Sequence, residues 1–122
     1  MARPREQADR EKRITYEAVV DAYGENERAM GWYYYMEGKL ATPFTAECKA
    51  KRSTSPLAIG ESVQVIGMAD EDDCMAEILV LIKYGNSQLA VPLDQLKCLS
   101  SDAQTCEAVD DWHYWVARGY GY

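Results

Sequence analysis

Histidine is almost missing from this chain: His113 is the only one in 122 residues. It stands between Trp112 and Tyr114, and no serine or cysteine signature of a nucleophilic enzyme occurs, so it reads as a packed side chain rather than a catalytic base. Glycine-rich phosphate loops are absent too, since neither GxGxxG nor GxxxxGK[ST] is found. The expected protein is not an enzyme. Cysteine is sparse: Cys48, Cys74, Cys98 and Cys106 form no CxxC pair, which argues against a tetrahedral zinc site and a disulfide framework and fits reduced thiols. The longest apolar run, Ile78–Ile82, falls far short of the roughly 18 residues that span a bilayer. The first ten residues hold no apolar segment of the kind a secretory leader carries, so the expected compartment is the cytoplasm.

Basic residues run out early. Beyond Arg52 only Lys83, Lys97 and Arg118 remain, against eleven acidic groups. The whole chain has 13 Lys+Arg and 20 Asp+Glu, a net charge of −7 and a pI near 4.7. Nucleic acid and anionic membranes repel such a surface and are set aside as partners; cations are drawn to it. With 48% hydrophobic residues, the chain can bury one proper core, and its length suits a single domain.

Residues 1–13 carry five basic and three acidic groups and Pro4, and read as a flexible charged arm. A single domain over 14–122 follows, with helices in 14–40, a barrel over 44–100 and a C-terminal helix over 102–118. Ile14, Ala18, Val19, Ala22 and Tyr23 fall on one helix face, with Gly24 as the stop. Glu25–Met36 forms a second helix whose stripe is Ala29, Met30, Trp32, Tyr33 and Met36, leaving Tyr34 or Tyr35 outward. After Pro43 the period changes to two. Strands are expected at Phe44–Ala50, at Glu61–Met68 (Val63, Val65 and Gly67 on one face), and at Met75–Tyr84. The Gly85-Asn86-Ser87 turn leads to Gln88–Val91; Pro92–Leu96 is a helical turn and Lys97–Leu99 a last strand. Ser101 or Asp102 caps a final helix to about Ala117. The order is α+β: a small five-stranded SH3-like β-barrel, two helices before it and one after, packed outside. The aromatic run Trp32–Tyr35, with Trp112, Tyr114 and Trp115, serves helix packing or, where exposed, partner binding.

The sharp feature is Asp70-Glu71-Asp72-Asp73, four consecutive carboxylates at a strand-to-strand turn. Their mutual repulsion is relieved by a divalent cation, and Ca²⁺ tolerates the irregular oxygen cage a pliable turn provides better than Mg²⁺ does. An EF-hand is excluded: counting from Asp70, Cys74, Met75 and Leu81 stand where an oxygen ligand, glycine and a bidentate glutamate are required. Taken alone, a run of like charge most often just sits in water.

Several segments together tip that balance: Val19-Val20-Asp21-Ala22-Tyr23-Gly24, Glu27–Tyr35 (ERAMGWYYY), Ser55-Pro56-Leu57, Val65–Ala69 (VIGMA) and Leu89–Leu96 (LAVPLDQL). Over about residues 14–118 the chain resembles the bacterial calcium-binding proteins typified by the cyanobacterial one of heterocyst-forming strains. Members of that family are small acidic proteins that bind Ca²⁺ through negative surface charge and not through EF-hands. The resemblance implies calcium binding here, with Asp70, Glu71, Asp72 and Asp73 as ligands and Asp94, Asp110 and Asp111 as weaker candidates for a second site. It implies a cytoplasmic calcium buffer or weak sensor; the developmental role of the cyanobacterial proteins is not carried over. The alternative is an SH3-like interaction module whose acidic rim selects a basic partner.

Overall fold

A computed structural model describes residues 7–20, 22 and 24–120. Helix α1 (Ala8–Arg13) runs into a π-helical turn over Ile14–Ala18, where the Val19 N–H donates to the Ile14 carbonyl at 3.0 Å. Helix α2 spans Glu25–Lys39 and α3 Ala103–Ala117. Between them lie β1 (Phe44–Cys48), β2 (Ser62–Met68), β3 (Leu79–Tyr84), β4 (Ser87–Pro92) and β5 (Leu96–Cys98). Two 3-10 turns, Glu71–Cys74 and Leu93–Gln95, fall at the expected acidic bend and before the last strand. Among the described residues no helix is long and apolar enough to cross a membrane.

The five strands form one antiparallel sheet in the order β4-β3-β2-β1-β5. The expected closure into an SH3-like barrel is not seen in the ladder. The Leu93–Gln95 turn carries the chain from one sheet edge to the other, so the three-residue β5 pairs with β1 and no strand pairing joins it to β4. The α+β class and the element order stand.

Alternation along the strands builds the core. Phe44, Ala46 and Cys48 of β1, Val63 and Val65 of β2, Val80 and Ile82 of β3, and Val91 of β4 are buried; Thr45, Glu47, Ser62 and Gln64 take the other face of β1 and β2, where β3 places Leu79 and Leu81. Trp32 of α2 and Trp112 of α3 meet over this layer edge to face, centroids 5.0 Å apart, a geometry that suits the ring quadrupoles. Gly31 is where α2 touches the π-helical turn. A Cβ there would stand 2.3 Å from the Ala18 carbonyl oxygen, so only glycine permits the contact. Gly85, at φ +60°, makes the β3–β4 hairpin turn.

Two departures from the expected pattern bear on function. In β2 the register shifts by one residue between Val65 and Gly67: Val65 faces Ile82, but Gly67 faces Leu81. This bulge breaks the alternation that placed Gly67 with Val63 and Val65, and puts Ala69 on the opposite face, where it is buried with Tyr33 and Cys74. The second concerns the N-terminal arm expected over 1–13. Its described part, from Gln7 on, is helical and bound to α3: Arg10 and Arg13 donate to Asp111, and the Gln7 N–H to the Tyr114 hydroxyl. The expected helix from Ile14 through Tyr23 is the π-helical turn, and position 23 lies outside the described residues. Gly24 precedes α2 as its N-cap in place of ending the first helix. Asp102 caps α3 as expected, accepting from the Thr105 N–H at 2.9 Å.

Candidate metal centre

The acidic bend is a turn clamped at both ends. Upstream, the Ala69 carbonyl accepts from the buried Tyr33 hydroxyl of α2 at 2.9 Å. Downstream, Cys74 is buried, and its sulfur donates to the Leu79 carbonyl and accepts from the Leu79 N–H, each at 3.4 Å. Tyr33, Ala69 and Cys74 form a small apolar cluster of their own beneath the bend. Burial raises the Tyr33 and Cys74 pKa values, so both groups keep their protons and their bonds at neutral pH. Between the clamps the chain has just enough length for one 3-10 turn, closed by the Asp73 N–H donating to the Asp70 carbonyl at 2.9 Å.

With the backbone side of the bend committed to the core, its carboxylates turn outward. Asp70, Glu71, Asp72 and Asp73 are all exposed. Glu71 accepts a 2.6 Å hydrogen bond from the Tyr34 hydroxyl, and that carboxylate raises the phenol's pKa. Tyr34 is thus the aromatic of the expected run that turns outward, 52% exposed, while Tyr35 is buried. Among the described residues, the carboxylates of Asp70, Asp72 and Asp73 have no protein partner. The donor chemistry suits a hard cation: oxygen only, four formal negative charges, and one neutral hydroxyl beside them. The spacing is open, because among the described residues no three His, Cys, Asp or Glu side chains are gathered closely enough to hold a metal ion.

The weaker candidates are dispersed. Asp94, on the Leu93–Gln95 turn, meets His113 Nδ1 at 3.1 Å, and His113 Nε2 meets the Leu96 carbonyl at 2.6 Å. The His113 hydrogen bond holds the Asp94 carboxyl below its usual range, with Lys49 and Arg52 adding smaller favourable fields. The Leu93–Gln95 turn meets the loop after β2 through backbone, the Leu93 N–H donating to the Ile78 carbonyl at 2.9 Å, while the Asp94 carboxylate is held by His113. Glu77, near the bend in sequence, is bound to Arg52 at 3.0 Å.

Asp110 and Asp111 were expected to act together, and the helix separates them. Successive residues on α3 point about 100° apart; Asp110 is exposed, whereas Asp111 is fully buried. Asp111 accepts from Arg10 Nη1 at 2.9 Å, from Arg13 Nη2 at 2.6 Å and Nε at 3.0 Å, and from the Tyr35 hydroxyl at 3.0 Å. Two guanidinium groups already neutralise it, so an added cation would have to expel them. The sequence holds a signal for this pairing: Arg10 and Arg13 share a helix face, and Asp111 lies three residues after Ala108 on the stripe that includes Trp112 and Trp115.

A family model described as calcium binding matches residues 12–116. The crystal structure of Anabaena CcbP superposes with a TM-score of 0.87 at 37% identity, covering 100% of both chains. A structure described as a calcium-binding protein in the calcium-binding form gives a TM-score of 0.84 at 36% identity over 95% of each chain. No curated protein matches the chain.

Proposed function

The chain belongs to the CcbP calcium-binding family, and from that premise we propose that it binds Ca²⁺ at the Asp70–Asp73 bend as a non-EF-hand surface cluster. The observation that carries this reading is the clamped bend itself: Tyr33 and Cys74 fix its backbone ends, so four exposed carboxylates are kept on one short turn and cannot relax their repulsion by unwinding. A cation that draws the side chains together lowers that repulsion. Because gathering them costs side-chain entropy and the site is wet, affinity falls on the order of 10⁻⁶–10⁻⁴ M, the range of a buffer or weak sensor and not of a rigid cage. Tyr34 orients Glu71 at one edge of the cluster. Asp94 and Asp110 are candidates for a second, weaker ion, whereas Asp111 serves the fold through its arginine pairs.

We assign the protein to the cytoplasm as a binding protein without catalytic chemistry, with Ca²⁺ as its bound ligand. Titration calorimetry with Ca²⁺ at two ionic strengths tests this. Heat that saturates below millimolar calcium and weakens with salt is expected, because charges this exposed are screened within about 10 Å at 0.1 M. No heat at millimolar calcium sinks the reading.

One observation favours a second reading. Tyr34 is half-exposed beside Glu71, so an aromatic surface adjoins the acidic rim. An SH3-like interaction surface selecting a basic partner would use that combination. Co-purification of a basic protein, with tryptophan fluorescence and melting unchanged between calcium and chelator, would favour it.

A further inference from the structure

Outside the acidic bend, the most reactive juxtaposition is a pair of thiols. Cys98 ends β5 and Cys106 lies in the first turn of α3, eight positions later. Their sulfurs are 2.6 Å apart, about half an ångström from covalent distance. The Cys106 sulfur also lies 3.3 Å from the Ser100 carbonyl, so the chain between the two cysteines folds back on the pair. Both side chains are partly accessible, whereas Cys48 and Cys74 are buried.

We propose that Cys98 and Cys106 form a reversible dithiol–disulfide site that exchanges with small disulfides of the glutathione class. Burial, and then the neighbouring Cys106, push the Cys98 thiol up to about 12, so Cys98 stays protonated and the first attack falls to Cys106. The Cys106 thiolate attacks one sulfur of glutathione disulfide, forming a mixed disulfide and releasing one glutathione thiolate, which takes up the proton Cys106 lost. Cys98 then gives up its proton as its sulfur attacks the Cys106 sulfur, and the second glutathione leaves with that proton. Two protein thiols are oxidised by two electrons, and one glutathione disulfide is reduced to two thiols. Contact between the two sulfurs makes the closing step intramolecular and fast, which offsets the reluctance of Cys98 to ionise. The bond would staple β5 to the start of α3. A reducing compartment would keep it open except under oxidative load.

The test is incubation of the full chain with glutathione disulfide at mildly alkaline pH. Titratable thiols in denaturant should fall from four to two, with loss of two hydrogens by mass. Peptide mapping should put the link between Cys98 and Cys106, and dithiothreitol should restore four thiols. The melting temperature of the oxidised form should rise by about 5 °C. Cys98→Ser should stop at a stable glutathione adduct on Cys106. Four persistent thiols in the unaltered chain, a mixed adduct that never closes, or a link through Cys48 or Cys74 would each overturn the proposal, and none of these readouts depends on the variant folding.

Discussion

Asp111 and the Asp70–Asp73 bend are made of the same chemical group and live in opposite conditions. Asp111 is fully buried and receives four hydrogen bonds, three of them from guanidinium groups. The bend exposes four carboxylates, and among the described residues only Glu71 has a protein donor, a neutral phenol. Removing a charge from water is tolerable only when counter-charges are built in. Where they are not, the compensation must come from solution. The chain therefore spends its N-terminal arginines on the fold and leaves the bend's charge available to a mobile cation.

The contrast can be broken from its buried side first. Asp111→Ala should destabilise the protein by about 3 kcal/mol, since it strands two arginines and the Tyr35 hydroxyl, and urea denaturation would measure it. If stability is unchanged, Asp111 is no structural anchor and returns to the list of possible calcium ligands. On the open side, Asp72→Asn with Asp73→Asn should weaken calcium about tenfold or more, leaving the calcium-free melting temperature unchanged or slightly higher. Undiminished calorimetric binding would move the ion to Asp94 or Asp110.

Asp94 lies between the two extremes, partly buried and partnered by one histidine. Its folded pKa is lowered, so the His113 contact adds stability above the ordinary carboxyl range near 4 and loses it as pH falls through the lower folded value. Asp94→Asn should flatten that acid-side fall by less than about 1 kcal/mol, read from urea midpoints across pH 2–5. An unchanged acid limb would mean the contact is absent in solution. The smallest effect belongs to Tyr34→Phe. Its loss should shift calcium affinity by less than about threefold, since one neutral hydrogen bond orients Glu71 without supplying charge. A larger loss would make the phenol itself part of the ion's shell.

Much of the fold was legible because local chemistry decides it. Gly85 and Asn86 sit where the hairpin turns, Asp102 caps α3, and the period-two segments became β1 to β5 within a few residues. What escaped depends on contacts distant in sequence. The bulge at Ile66 has one local sign, Gly67 inside a strand pattern, but a glycine there does not say which residue is extra or which face it re-aims. The docking of α1 was hidden because charged residues that alternate in sign read as solvated, and their acceptor lies about a hundred positions away. At the bend, sequence located the charge but not the spread of the side chains, which rotamers and solvent set.

The extra residue in β2 decides more than its own strand. A sheet strand is a two-sided tape, and one inserted position exchanges its sides from there onward. Had the tape run through position 66 in regular pairing, Ala69 would share the face of Val63 and Val65, away from Tyr33 and Cys74, and the anionic loop would start from the wrong side. A single-residue deletion at Ile66 should therefore be tolerated, because it removes only the extra residue and leaves Gly67 opposite Leu81 and Met68 opposite Val80.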